Sequence, residues 1–264
     1  MLEVQDITKV LPDGRALLNG ISFSVKRGEF VGILGPSGAG KTLTMRCCNG
    51  LMAPTSGRVL LCDKDGNKII LNNIKGKKLR EARRKVGVIF QGFNLVKRLT
   101  ALENVMIGRL GDINPWRSII YGFTEEEMKQ AHEALEKVKI KELAFRKVES
   151  MSGGEMQRVA IARAIFQNPL ILLADEPIAN LDPSNAKSIM KILRPLADEM
   201  PVIGVFHQPE ITQKYCTRII AIKAGLIVYD GLPTLTIEQL HNIYEDEFVE
   251  FEVAAEVKFE NTLI

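Results

Sequence analysis

The sequence predicts an α/β fold with a mostly parallel sheet, a smaller antiparallel sheet beside it and an inserted helical part. Three observations carry that expectation. Unbroken apolar runs recur at Phe30–Leu34 (FVGIL), Leu170–Ala174 (LILLA) and Val202–Phe206 (VIGVF), the form of parallel strands covered on both faces. The first opens through a glycine-rich turn onto a helix start, a strand–turn–helix unit. Leu2–Ile7 and Ile21–Val25 instead alternate apolar and polar residues, the mark of half-buried strands.

Composition sets the bounds. With 264 residues, 46% hydrophobic and 25% charged, the chain can bury the core of one large domain or two smaller ones. A formal charge of +3 is too small to argue for a nucleic-acid partner. No apolar stretch approaches the ~18 residues a spanning helix needs. The start, MLEVQDITKV, is acidic where a signal peptide is basic and then apolar, so the chain is expected to stay in the cytosol. Cys47, Cys48, Cys62 and Cys216 have neither metal-ligand spacing nor a disulfide framework and read as reduced packing residues.

Pro12-Asp13-Gly14 is the turn between the two alternating strands. Gly35 to Thr42, GPSGAGKT, fits G-x-x-x-x-G-K-[ST]. Its glycines let consecutive N–H groups line a nest around a β-phosphate, Lys41 adds a full charge toward the β and γ oxygens, and the Thr42 hydroxyl suits Mg²⁺. The following helix N-terminus adds roughly half a positive charge. Kinases, GTPases, RecA-like motors and transport ATPases all use such a loop.

Gly57–Cys62 and Lys68–Leu71 read as a hairpin turning at Asp65-Gly66-Asn67. Lys75–Lys85 (KGKKLREARRK) reads as a solvated helix face with Leu79 and Ala82 turned inward, because no aromatics interleave its charges for base stacking. It leads into a strand, Val86–Phe90, that ends at Gln91. Thr100 and Thr124 begin capping boxes, placing helices at about Ala101–Leu110 and Glu125–Val138. Between them, Gly111–Phe123 holds the single tryptophan, Trp116, either a partner contact or the cover of a local cluster. Ser152-Gly-Gly-Glu155 is a third capping box, opening a helix through Phe166. Two glycines in a first turn cost helix stability, about 1 kcal/mol each against Ala; close approach of a phosphate to bare N–H groups accounts for them. LILLA delivers Asp175 and Glu176 at a strand's C-terminal end. Asp182-Pro183 starts a helix through Met200, which Pro195 is expected to kink or interrupt. VIGVF ends at His207.

Taken in order, GPSGAGKT, Gln91, SGGE, LILLADE, Asn180-Leu181-Asp182 and His207 resemble the ATP-binding subunit of ABC transporters, a P-loop NTPase with a RecA-like core. The resemblance runs from the first strand to about residue 235. It implies a single ATP-binding domain, residues 1–235, with a core and β subdomain in 1–91 and 168–235, a helical subdomain in 92–167, and a C-terminal helix and tail in 236–264. It implies ATP and Mg²⁺ as ligands. Gly35, Pro36, Ser37, Gly38, Ala39, Gly40, Lys41, Thr42 and Leu43 would hold the nucleotide; Thr42, Gln91 and Asp175 the metal. Glu176 would polarise the attacking water, with Gln91 and His207 approaching the γ-phosphate from opposite sides. Ser152, Gly153, Gly154, Glu155 and Asp182 would complete the site of a second copy, in a homodimer with two ATP molecules between the chains. The implied partners are a membrane permease, docking near Gly92–Phe123, and indirectly a periplasmic or lipid-anchored solute-binding protein. That puts the chain at the cytoplasmic face of the membrane.

Gly108-Arg-Leu-Gly111, Pro115-Trp-Arg-Ser118 and His207-Gln208 resemble the branch that energises import of phosphonates and phosphite; other solutes, such as phosphate or amino acids, are the alternative. A soluble ABC ATPase acting on DNA or ribosomes would usually carry a coiled-coil insertion or a second ATP-binding half, and a kinase has no use for SGGE. The chain departs from the family in three places: MSGGE replaces the usual LSGGQ, Leu11 aligns with the aromatic that usually stacks on adenine, and Gln208 follows the histidine where Asp is common. Glu250–Glu260 (EFEVAAEVKFE) has strand periodicity, which fits an edge strand or a frayed terminus equally.

Overall fold

The computed structural model describes residues 1–63, 65–111 and 123–244. Trp116 and the alternating segment 250–260 lie outside the described residues.

Strands β1 (Leu2–Val10) and β2 (Ala16–Val25) pair antiparallel, and β4 (Ser56–Cys62) and β5 (Lys68–Ile70) extend the sheet in the order β2-β1-β4-β5. The expected hairpin therefore joins that sheet. A second, six-stranded sheet has the order β10-β9-β3-β8-β7-β6, formed by β3 (Phe30–Leu34), β6 (Val86–Ile89), β7 (Ile171–Asp175), β8 (Val202–Val205), β9 (Arg218–Lys223) and β10 (Leu226–Gly231). β6, β7, β8, β3 and β9 are parallel, and β10 folds back antiparallel on β9.

Alternate residues of the parallel strands enter two cores. Phe30, Leu172 and Val202 face the helices, whereas Val31, Leu173 and Ile203 face the antiparallel sheet and α1 (Lys41–Cys48). Burial on both sides is why these strands carry no polar alternation. The helical side comprises α3 (Ala101–Met106), α4 (Glu125–Lys137), α5 (Gly153–Phe166) and α6 (Pro183–Glu199). Capping boxes at Thr100, Thr124 and Ser152 start the first three, as expected. The helix expected to reach Leu110 instead tightens into a 3₁₀ turn over Ile107–Arg109.

Pro195 does not interrupt α6, which continues to Glu199. Ile189, Ile192, Leu193, Leu196 and Ala197 are buried around it, and tertiary burial outweighs one missing backbone bond. The basic segment forms α2 (Gly76–Arg84) with Ala82 buried and Leu79 half-buried. All four cysteines are free and buried; burial pushes the Cys47 thiol up to about 11 and raises Cys48 and Cys216 as well, so these three are not poised to react.

Candidate nucleotide-binding site

Parallel strands all end on one side of a sheet, and there the molecule gathers its chemistry. The glycine-rich loop follows β3, His207 lies beyond β8, Asp175 ends β7 with Glu176 next, and Gln91 lies beyond β6. Because β7 sits between β8 and β6, Glu176 falls between His207 and Gln91.

Ser37, Gly38, Ala39, Gly40, Lys41, Thr42 and Leu43 line a cleft of about 410 Å³ together with Leu17, Arg46, Glu176 and His207. Nothing lies within 4 Å of where a Cβ on Gly38 would stand, and its φ is +77°, so the loop backbone is uncrowded there. The Lys41 side chain is buried and donates to the carbonyls of Gly35 at 2.6 Å and Pro36 at 2.8 Å. This lays the ammonium along the loop and not out into solvent.

The two carboxylates differ sharply in environment. Asp175 Oδ1 is buried with no hydrogen-bond partner, and the Thr42 hydroxyl lines the same cleft. Burial, and then the charge of Glu176, raises the Asp175 pKa above the usual carboxylate range; Arg46, Thr42 and His207 oppose the shift. An orphaned carboxylate oxygen beside a hydroxyl is a hard-oxygen donor set and fits Mg²⁺. Among the described residues no group of three or more His, Cys, Asp and Glu could hold a metal ion.

Glu176 has a φ of +49°, uncommon for a residue with a side chain, and the turn presents its carboxylate along the strand ends. Its Oε2 accepts from Gln91 Nε2 at 2.8 Å, and its Oε1 lies 2.8 Å from His207 Nε2. With Glu176 ionised, His207 Nε2 must carry the proton. Both side chains thus hold one carboxylate from opposite ends. The second cleft, of about 440 Å³, brings Gln91 together with Thr42, Arg46 and Asp175.

None of Ser152, Gly153, Gly154, Glu155 and Asp182 lines the cleft of the glycine loop. The Ser152 side chain accepts from Glu155 N, and Glu155 Oε2 accepts from Ser152 N at 2.7 Å. Bonding to the Ser152 backbone and nearby Arg146 and Arg158 hold the Glu155 carboxyl below its usual range. Its other oxygen lies 3.5 Å from Arg146, so its charge is turned sideways and partly neutralised. The two glycines have different reasons. A Cβ on Gly154 would stand 2.6 Å from Asn185 Oδ1, whereas one on Gly153 would meet nothing closer than Leu181 at 3.5 Å. Gly154 makes room for Asn185, and Gly153 is the bare tip. Asn185 in turn donates to Asp182 at 2.6 Å, while Asp182 caps α6 through the N–H groups of Ser184 and Asn185.

Sequence reasoning missed Leu17 and Arg46. Leu17, not Leu11, lines the loop cleft. Arg46 follows Thr42 by one helical turn on α1, an i,i+4 spacing that could have placed it at the same mouth.

Comparison with known proteins agrees with this geometry. Residues 18–179 match the family model for ABC transporters. The chain is 44% identical to the phosphonates import ATP-binding protein PhnC of Treponema denticola, over 91% of this chain and 93% of the relative. It is 42% identical to the protein of the same name from Lactobacillus acidophilus, over 88% and 89%. Among solved structures it is similar to a dimeric ATP-binding cassette in a post-hydrolysis state bound to ADP and Pi, with 33% identity, a TM-score of 0.73, and coverage of 89% of this chain and 100% of that one. It is also similar to cbiO1 of Clostridium perfringens, part of the ABC transporter complex cbiONQ, with 28% identity, a TM-score of 0.77, and coverage of 97% and 98%. With the matched segment running from within β2 through the glycine loop and past both carboxylates, the chain belongs to the ABC transporter family as an ATP-binding cassette.

Proposed function

We propose that this chain is the ATP-hydrolysing subunit of an importer for phosphonates or a closely related phosphorus oxyanion. One observation carries the catalytic part: Glu176 is held on both oxygens, by Gln91 and His207, at the mouth of the glycine loop. Phosphoryl transfer asks for positioning and charge stabilisation more than covalent chemistry. The loop N–H groups and Lys41 take the β- and γ-phosphates and spread their charge. Glu176 orients the attacking water and accepts its proton; each oxygen uses one lone pair on its holder and keeps another for the water. Thr42 and Asp175, with Gln91 close by, would hold Mg²⁺, which supplies charge neutralisation between phosphate oxygens when bound.

Ser152, Gly153 and Gly154 act on the twin chain's nucleotide, with Glu155 fixing the cap and Asp182 ordering the adjoining helix. The dimeric form of a similar cassette supports this arrangement. Loss of γ-phosphate charge opens the pair, and a permease bound over the helical part, residues 92–167, follows the motion. No helix among the described residues is long and apolar enough to cross a membrane; we place the chain at the cytoplasmic face through that permease, with a solute-binding protein delivering cargo outside. The cargo rests on the names of the relatives. Deleting the gene should abolish growth on a phosphonate as sole phosphorus source and spare growth on phosphate. Unimpaired phosphonate growth would refute the cargo, and unchanged ATP turnover by Glu176→Gln would refute the catalytic assignment.

A further inference from the structure

We propose that Tyr244, on the C-terminal helix of residues 237–244, is a positioning residue for the nucleotide site: its hydroxyl latches the first peptide of the glycine loop. This rests on the reading that GPSGAGKT binds ATP.

The Gly35 N–H donates to the Tyr244 hydroxyl oxygen at 3.3 Å, a buried contact between residues 209 apart in sequence. Gly35 stands where the strand ladders have run out. The last partner of β3 on one side is Leu34 with Ala221, and on the other Ile33 with Val205. A buried N–H beyond a ladder needs an acceptor from elsewhere, and Tyr244 supplies one.

The helix that brings it is fastened independently. Thr236 N donates to Gln239 Oε1 at 2.9 Å, and Gln239 N donates to the Thr236 hydroxyl at 3.2 Å, a capping box that fixes where the helix begins. Lys223 Nζ donates to the Asn242 carbonyl at 2.8 Å. Ile243 and Tyr244 are buried with Ala221, against Tyr229, Leu235 and Leu240. On the other flank of the loop, Gly225 N donates to the Ala39 carbonyl at 3.1 Å. The loop is thus gripped from behind at Gly35 and Ala39, once by the C-terminal helix and once by the β9–β10 turn.

The path to the phosphates is short. The Gly35 carbonyl accepts from Lys41 Nζ at 2.6 Å, so orienting Gly35 orients the seat of that ammonium. A Cβ there would stand 2.0 Å from the Ile222 carbonyl oxygen, which leaves the residue no side chain with which to fix itself. The hydroxyl therefore sets nucleotide affinity, and the helix of residues 237–244 acts on the ATP site through it.

The test uses the full chain and measures ATP affinity, steady-state KM and kcat, and melting temperature. Tyr244→Phe keeps the ring in its cluster and removes the acceptor; KM and Kd for ATP should rise about 3- to 10-fold, with kcat within about twofold and the melting point lower by no more than a few degrees for the one orphaned N–H. Lys223→Met, which frees the Asn242 carbonyl, should shift KM the same way by less. Tyr244→Phe with wild-type KM overturns the proposal, as does a fall in melting point with KM unchanged, which is the behaviour of a packing residue. A wild-type chain that fails to bind ATP removes the loop reading and the latch together, whereas wild-type binding with an inert Tyr244→Phe removes the latch alone.

Discussion

Alanine at Gly153 and at Gly154 should have opposite effects. At Gly153 a Cβ meets only Leu181 at 3.5 Å and Phe93 at 3.9 Å, ordinary contacts. Replacing glycine in a helix gains up to about 1 kcal/mol, roughly 2–4 °C in melting temperature for a domain of this size. At Gly154 the added Cβ would lie 2.6 Å from Asn185 Oδ1 and 2.7 Å from its Cγ. Asn185 cannot swing aside cheaply, because its amide is bonded to Asp182 at 2.6 Å. Overpacking costs about 1–3 kcal/mol and disturbing a cap about 1 more; set against the helical gain, Gly154→Ala should lose about 1–3 kcal/mol. Yet the stabilised variant should be the less active one. Its methyl stands at the tip proposed to meet the twin's γ-phosphate, so ATP turnover should fall at least about tenfold. Differential scanning calorimetry and a phosphate-release assay on both variants suffice. A Gly153→Ala protein with wild-type turnover would refute a phosphate at the tip, and a Gly154→Ala protein as stable as wild type would refute the steric argument.

Further outcomes follow from the same geometry. Glu176→Gln should keep ATP affinity and lose turnover by at least about 100-fold, measured by nucleotide binding beside phosphate release; retained turnover would remove the base. Asp175→Asn should abolish Mg²⁺-dependent hydrolysis and still raise the melting point at pH 7 in chelator. The Asp175 pKa is raised in the fold, so its stabilising share is full below the ordinary value of 3.8 and is lost as pH rises through the raised one. The advantage of the Asn variant should therefore close as the pH is lowered toward that range, and a constant difference would contradict the burial argument. Ser152→Ala, which removes a helix cap, should cost about 1 kcal/mol, read by thermal unfolding.

Much of this was legible in the chain, for identifiable reasons. The loop and the two carboxylates could be read because each sits at the end of an unbroken apolar run, and such a run marks a doubly covered strand. The resemblance placed Gln91, Glu176 and His207 around one γ-phosphate, but not the hold of Gln91 and His207 on the Glu176 carboxylate itself. Their meeting depends on β7 lying between β6 and β8, and strand order is a tertiary property. The β9–β10 hairpin escaped notice because it turns at Ala224-Gly225, both at positive φ, where Asn-Gly or Asp-Gly would have announced it. Strand β2 extends back through Gly20 at φ +70° to Ala16, beyond the alternating stretch Ile21–Val25, and that extension carries Leu17 to the cleft. The packing reason for Gly154 was hidden for a similar cause. Its neighbour Asn185 stands on another helix, and no local pattern reports that contact.

The central claim is that each ATP is shared between the glycine loop of one copy and the Gly153 tip of the other. It is tested most directly by mixing two inactive chains, Lys41→Ala, with a disabled loop and an intact tip, and Gly153→Asp, with an intact loop and a disabled tip. Composite sites predict that the mixture regains ATP hydrolysis absent from either chain alone, since mixed dimers rebuild one complete site. A mixture that hydrolyses no more than its separate components would contradict the account.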